Sequence, residues 1–176
     1  QLVQSLYSSF YTDIRVSATR GKFISLSEKN LQALKQQKGI SGYSLTIEDK
    51  AMLQYNSNQQ IVVMKGVDTS YHRISGISRN IWRGKFELGT ADHPDAVLGA
   101  GVENGLNLES DRSIVPMLVY LFRSGPKTTM DSPNRAIGPE DPESAVRSEQ
   151  MAAAGSFRIQ QDFDNQYVIT NMPFMQ

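Results

Sequence analysis

The stretch from residue 40 to residue 68 constrains the fold of this 176-residue chain more than any other. Tyr43, Leu45 and Ile47, then Ala51, Leu53 and Tyr55, all fall on odd positions, the period-two pattern of a strand with one buried face. Glu48-Asp49-Lys50 interrupts the apolar residues without shifting their phase, so one long strand is allowed, with a bulge at the charges. Asn56-Ser57-Asn58 is turn chemistry. Beyond it, Ile61 to Val67 is rich in β-branched residues and reads as a strand covered on both faces. A long antiparallel hairpin is expected.

Around it the signals are mixed. Leu2, Val3, Leu6, Tyr7 and Phe10 form a helical stripe, either a short packing helix or the end of a longer one. Ile14, Val16 and Ala18 alternate with polar residues, which predicts a half-buried strand. A helix to about Gln37 follows, with Ser25 and Glu28 as a capping box or Ser27 as a rival cap, and with Leu31 and Leu34 facing inward. Residues 69–86 hold His72, Arg73, Arg79, Arg83 and Lys85 and no acid. They predict a helical turn or two ending near Gly84, with Trp82 in the core or the cations facing an acidic partner or lipid head groups. Further strands are expected at Ala96–Leu98, Ser113–Phe122, Met151–Gln161 and Tyr167–Thr170, with a short helix over Val102–Leu106 and another beginning after Asn171. Pro116 demotes its strand to an edge or a bulge. The fold class expected from this order is α+β with a β-rich insertion.

Composition removes several functions. Eighteen basic and eighteen acidic side chains cancel, which leaves no basic excess for nucleic acid. The absence of cysteine excludes disulfides, thiolate zinc sites and a cysteine nucleophile. The longest apolar run, Ile114 to Phe122, is far short of the roughly 20 residues that span a bilayer. The chain begins with Gln1, from which we expect a piece of a longer protein.

No local motif announces catalysis or a cofactor. Gly99-Ala-Gly101-Val-Glu-Asn-Gly105 has glycines at GxGxxxG, one position away from the dinucleotide fingerprint, and reads as a tight strand-to-helix turn. His72 and His93 lack metal-ligand spacing. Asp162-Phe-Asp164-Asn165 lacks the glycine and the distal glutamate of a calcium loop and reads as a hairpin turn. Catalytic, cofactor and metal residues are therefore expected to be none. The best interaction candidate is the Pro-rich loop 124–144, because long loops in compact domains are usually functional or disordered. Within it Lys127, Met130, Asn134, Arg135 and Ile137 are the candidate partner-binding residues.

Five segments, in order, resemble the extracytoplasmic domain of MacB/FtsX-type ABC transporter permeases, closest to the lipoprotein-releasing branch. They are LVQSLYSSFYTDIRV, GISGYSLTIEDKAMLQYNSNQQIVVMKGVD, ISRNIWRGKF, AVLGAGVENGLNL and AAAGSFRIQQDFDNQYVITNMPFMQ. The resemblance implies a porter-like α+β subdomain over residues 1–85 and 161–176, and a β-rich sabre-like subdomain over 86–160. It also implies a domain on the periplasmic face of the bacterial inner membrane, in a membrane-embedded parent. Such a domain works with an ABC ATPase subunit and a second permease protomer on lipoprotein cargo or a periplasmic carrier or adaptor. Another strand–helix–strand is expected where the chain stops at Gln176, which leaves the porter-like part incomplete. Two other readings compete. One is a cell-surface or periplasmic interaction domain, adhesin-like, motivated by the β content and the long loop. The other is a small enzyme built near Gly99–Gly105, Glu103 and Asp111.

Overall fold

The computed structural model describes residues 13–21, 23–122 and 146–176. The hairpin forms as its alternation requires. Strands β1 (Thr46–Tyr55) and β2 (Asn58–Val67) pair antiparallel in unbroken register, from Thr46 opposite Val67 to Tyr55 opposite Asn58. No bulge is needed at Glu48–Lys50, because the charges continue the pleat. Asn56 makes the two-residue turn at a φ of 52°, a left-handed conformation that asparagine tolerates.

Five more strands follow: β3 (Ile81–Gly84), β4 (Asp95–Gly99), β5 (Met117–Phe122), β6 (Val146–Phe157) and β7 (Tyr167–Asn171). β2 runs parallel to β7, β7 antiparallel to β4, and β4 parallel to β6. β6 then pairs antiparallel with β5, and β5 antiparallel with β1. That circuit closes six strands into a barrel, with β3 attached, among the described strands, to β6 alone.

The closed barrel overturns the α+β expectation, and with it the porter-like subdomain carrying a sabre-like insertion. β1, β2 and β7, expected in the former, and β4, β5 and β6, expected in the latter, are arcs of one wall. The helical segments do not form a layer. Helix Glu28–Gln36 starts at Ser27, whose Oγ accepts from the Asn30 N–H at 3.3 Å, yet the helix has no buried residue. The strand expected over Ile14–Ala18 does not form, and Ile14 is 77% exposed. Alternation promises a strand only where a neighbouring edge exists, and the wall closes without this one. The stripe over residues 2–10 lies outside the described residues.

Inside the barrel, Leu53, Met64, Leu98, Val119, Met151 and Val168 meet in one apolar cluster. Its two mouths are plugged. Helix Ala100–Gly105 contributes Val102, with Leu106 just beyond it. The 3-10 turn Met172–Met175 contributes Phe174, and Asn171 Oδ1 caps that turn by accepting from the Phe174 N–H at 3.0 Å. A second cluster lies outside the wall. There Val67, Val97 and Ile169 pack with Tyr71 and Ile77, which belong to a short helix (Tyr71–Ile74) and a 3-10 turn (Ile77–Asn80). The residues after that turn form β3 rather than more helix, and Trp82 is not in the core. It is 52% exposed, with the Arg158 guanidinium 3.8 Å over its ring.

Leu98→Ala, at the centre of the barrel, is expected to cost about 2–5 kcal/mol. Trp82→Ala is expected to cost less than about 1 kcal/mol, as a partly solvated stacked pair would. Urea unfolding of the two variants checks the ranking, which reverses if Trp82 is a core residue.

Candidate functional site

The outer surface of the barrel divides in two. Over β2, β7 and β4 it is covered by residues 68–88. Asp68 ties this cover down by accepting from Ser44 Oγ at 2.7 Å and from the Leu45 N–H at 2.9 Å. Along its border the buried Lys65 Nζ pairs with Glu48 at 3.2 Å and lies 5.2 Å from the Tyr71 ring centroid. Burial pushes the Lys65 ammonium below its usual range, and Glu48 opposes that shift. Over β1, β5 and the first half of β6 there is no such cover among the described residues.

At the edge of this uncovered side runs a groove of about 590 Å³. One wall is Ser148–Ala152 of β6 with Leu118 and Pro116; the other is the loop Asp92–Asp95. The loop is held by an isolated bridge between Gly89 and Pro94 and by the Thr90 N–H donating to His93 O at 2.9 Å. Asn171 Nδ2 anchors it from β7, donating to Leu88 O at 2.7 Å and to Thr90 O at 2.9 Å. The groove lining carries Asp92, Asp95 and Glu149 and no lysine or arginine. Arg147, beside the lining, pairs with Glu149 at 3.2 Å and lies over the Phe174 ring. Partial burial raises the Asp95 carboxyl above its usual range; Glu87 adds to the shift and His93 opposes it. Ile114, 97% exposed, and Val115 lead into Pro116.

The residues singled out from the sequence are scattered. Lys127, Met130, Asn134, Arg135 and Ile137 lie outside the described residues; the structure fixes only the base of their loop, where Phe122 pairs with Val146. His93 lines this groove, whereas His72 lines a second one, of about 460 Å³, with Asp68 and Phe86. Among the described residues no group of three metal-ligating side chains is assembled. The glycine-rich turn serves packing, since a Cβ on Gly101 would overlap the Asn165 side chain and one on Gly105 would overlap that of Gln60. Glu103 is buried and accepts from both the N–H and the Oγ of Ser110, each at 2.8 Å, so it organises the turn after its helix. Asp164 ends a short helix (Gln161–Asp164), not a hairpin turn, and accepts from the Ile159 N–H at 2.8 Å. Local spacing gave no hint of the groove, whose walls come from separate stretches of the chain near residues 92–95, 116–118 and 148–152.

Compared with protein-family models and with curated proteins, the chain matches none.

Two substitutions test these structural assignments. Glu103→Ala leaves two buried Ser110 donors without their acceptor and is expected to cost about 2–4 kcal/mol in urea unfolding. Burial holds the Asp164 carboxyl above its ordinary 3.8. The folded state therefore keeps this proton more tightly than the unfolded chain. The resulting stability is present below that value and is lost as pH rises through the folded one. Asp164→Asn keeps an acceptor for Ile159 and is expected to flatten this acid-side slope. Asp164→Ala should instead cost about 1–3 kcal/mol at neutral pH.

Proposed function

We propose that the chain is the extracytoplasmic domain of an ABC transporter permease of the MacB/FtsX type, nearest the lipoprotein-releasing branch. In this reading a separate ATPase subunit hydrolyses ATP in the cytoplasm, and a second permease protomer completes the transporter. The domain, on the periplasmic face of the bacterial inner membrane, engages lipoprotein cargo or a periplasmic carrier or adaptor. It is a binding and coupling part, not an enzyme. No helix among the described residues is long and apolar enough to cross a membrane, so anchoring in this reading falls to other parts of the parent.

One observation carries the reading. Four of the five segments that bear the resemblance fall on the framework. They coincide with the β1–β2 hairpin, with the 3-10 turn leading into β3, with β4 and its plugging helix, and with the run from the end of β6 to the second plug. A likeness carried in chain order by strands and the short elements packed on them supports the reading better than one scattered over loops. The two-part architecture is not carried over with it. A surface interaction domain is the second reading, favoured by the uncovered face of β1, β5 and β6.

Affinity purification of the tagged full-length parent from bacterial membranes tests the choice. An ATP-hydrolysing subunit should co-purify, and deleting residues 124–144 should abolish lipoprotein release while leaving ATP hydrolysis within about twofold, as expected when a partner-binding segment separate from the ATPase is removed. A parent recovered without any nucleotide-hydrolysing partner overturns the permease reading and favours the second.

A further inference from the structure

Among the described residues, the first half of β6 has a neighbouring strand on one side only. Val146–Met151 pairs with β5, and β4 joins the opposite side only from Asp95, opposite Ala152. In an antiparallel pair alternate residues turn their N–H and C=O toward the partner. The rest of this stretch, roughly three donors and three acceptors, therefore faces the other way. Among the described residues no other backbone group bonds to it. Native sheets usually blunt such an edge with proline, lysine, a bulge or a covering segment. Here Ser148 and Gln150 are uncharged and exposed, and Arg147 and Glu149 are engaged with each other. The groove runs along this edge, in line with where β4 would continue before Asp95.

We propose that this groove is a strand-addition site that takes an extended segment of a partner protein bearing lysine or arginine. Main-chain hydrogen bonds to β6 supply the register, as in other cases where a peptide joins an open sheet edge. The charge selects the partner. Asp92 and Asp95 make no ion pair among the described residues, and the lining holds no lysine or arginine to compete for them. An anionic ligand is disfavoured by the same two carboxylates. The inference rests on the barrel alone and stands or falls separately from the permease reading.

The probe is a labelled nine-residue peptide of alternating lysine and valine, with a glutamate–valine peptide as control. Three results are expected. The lysine peptide binds in an anisotropy titration, and it slows amide hydrogen exchange across Val146–Met151. The double variant Asp92→Asn/Asp95→Asn weakens it by on the order of tenfold, the scale of losing charge pairs at a groove. The glutamate peptide binds at least about tenfold more weakly. The chain has no cysteine, so Ser148→Cys can be cross-linked cleanly to a peptide ending in cysteine. The proposal is overturned by binding that leaves those amides unprotected, or by amides already protected without peptide. It is equally overturned by equal binding of the two peptides, or by a Ser148→Cys variant that cross-links only to a second copy of itself.

Discussion

The barrel depends on one strand changing partners. β6 is twelve residues long, and near Ala152 it passes from β5 on one side to β4 on the other, with β3 taking up the side that β5 has left. Three strands converge there, which needs small side chains. The sequence supplies Ala152-Ala153-Ala154-Gly155. A Cβ on Gly155 would sit 2.5 Å from Lys85 O and 2.8 Å from Arg83 O, so any larger residue pushes the chain at β3 away. The register against β4 also slips at this place, between Ala96 and Val97, which bends the strand so that the wall can close. Closure and the open groove thus have one origin. A strand that serves β5 with its first half and β4 with its second leaves a stretch that, among the described residues, is paired on one side only.

The rest of the molecule finishes what closure begins. A barrel wall removes most sheet edges but leaves two mouths, and short helical elements fill them with Val102 and Phe174. Asn171 connects a plug to the groove. Its Oδ1 caps the turn that places Phe174, while its Nδ2 holds the loop carrying Asp92 and His93. One asparagine at the end of β7 therefore couples the packing of the mouth to the shape of the surface. On the covered side the burial of Lys65 is tolerable because Glu48 meets its charge and Tyr71 its face.

What could be read from the sequence follows from how local each signal is. The β1–β2 hairpin, β4, β7 and the Asn171 cap rest on periodicity, turn chemistry or capping within a few residues, and they form close to where those signals put them. β6 starts five residues before its expected beginning, because Arg147-Ser148-Glu149-Gln150 resembles a loop when its apolar partner strand is out of view. Ile14 and Val16 misled in the opposite sense, since alternation alone cannot say whether an edge awaits. Helix Glu28–Gln36 invited an α layer, yet it buries nothing. Barrel closure was illegible for the same reason as the groove. Both require residues near 95 and near 150 to meet, and no local pattern records that meeting.

A wall paired almost all the way round has a mechanical consequence for the proposed role. Within the circuit, displacing one strand strains hydrogen bonds on both of its sides, so the barrel resists shear as a unit. Under the permease reading such a body would pass on movement from its base with little internal deformation. A partner added along β6 would then be joined to the main chain of the strand that closes the barrel. Pulling on it would load β5 and β4 together, whereas a partner held only by loop side chains would load one flexible connection. The unpaired stretch of β6 is therefore the position in this fold where a bound chain would be coupled most directly to the rigid body.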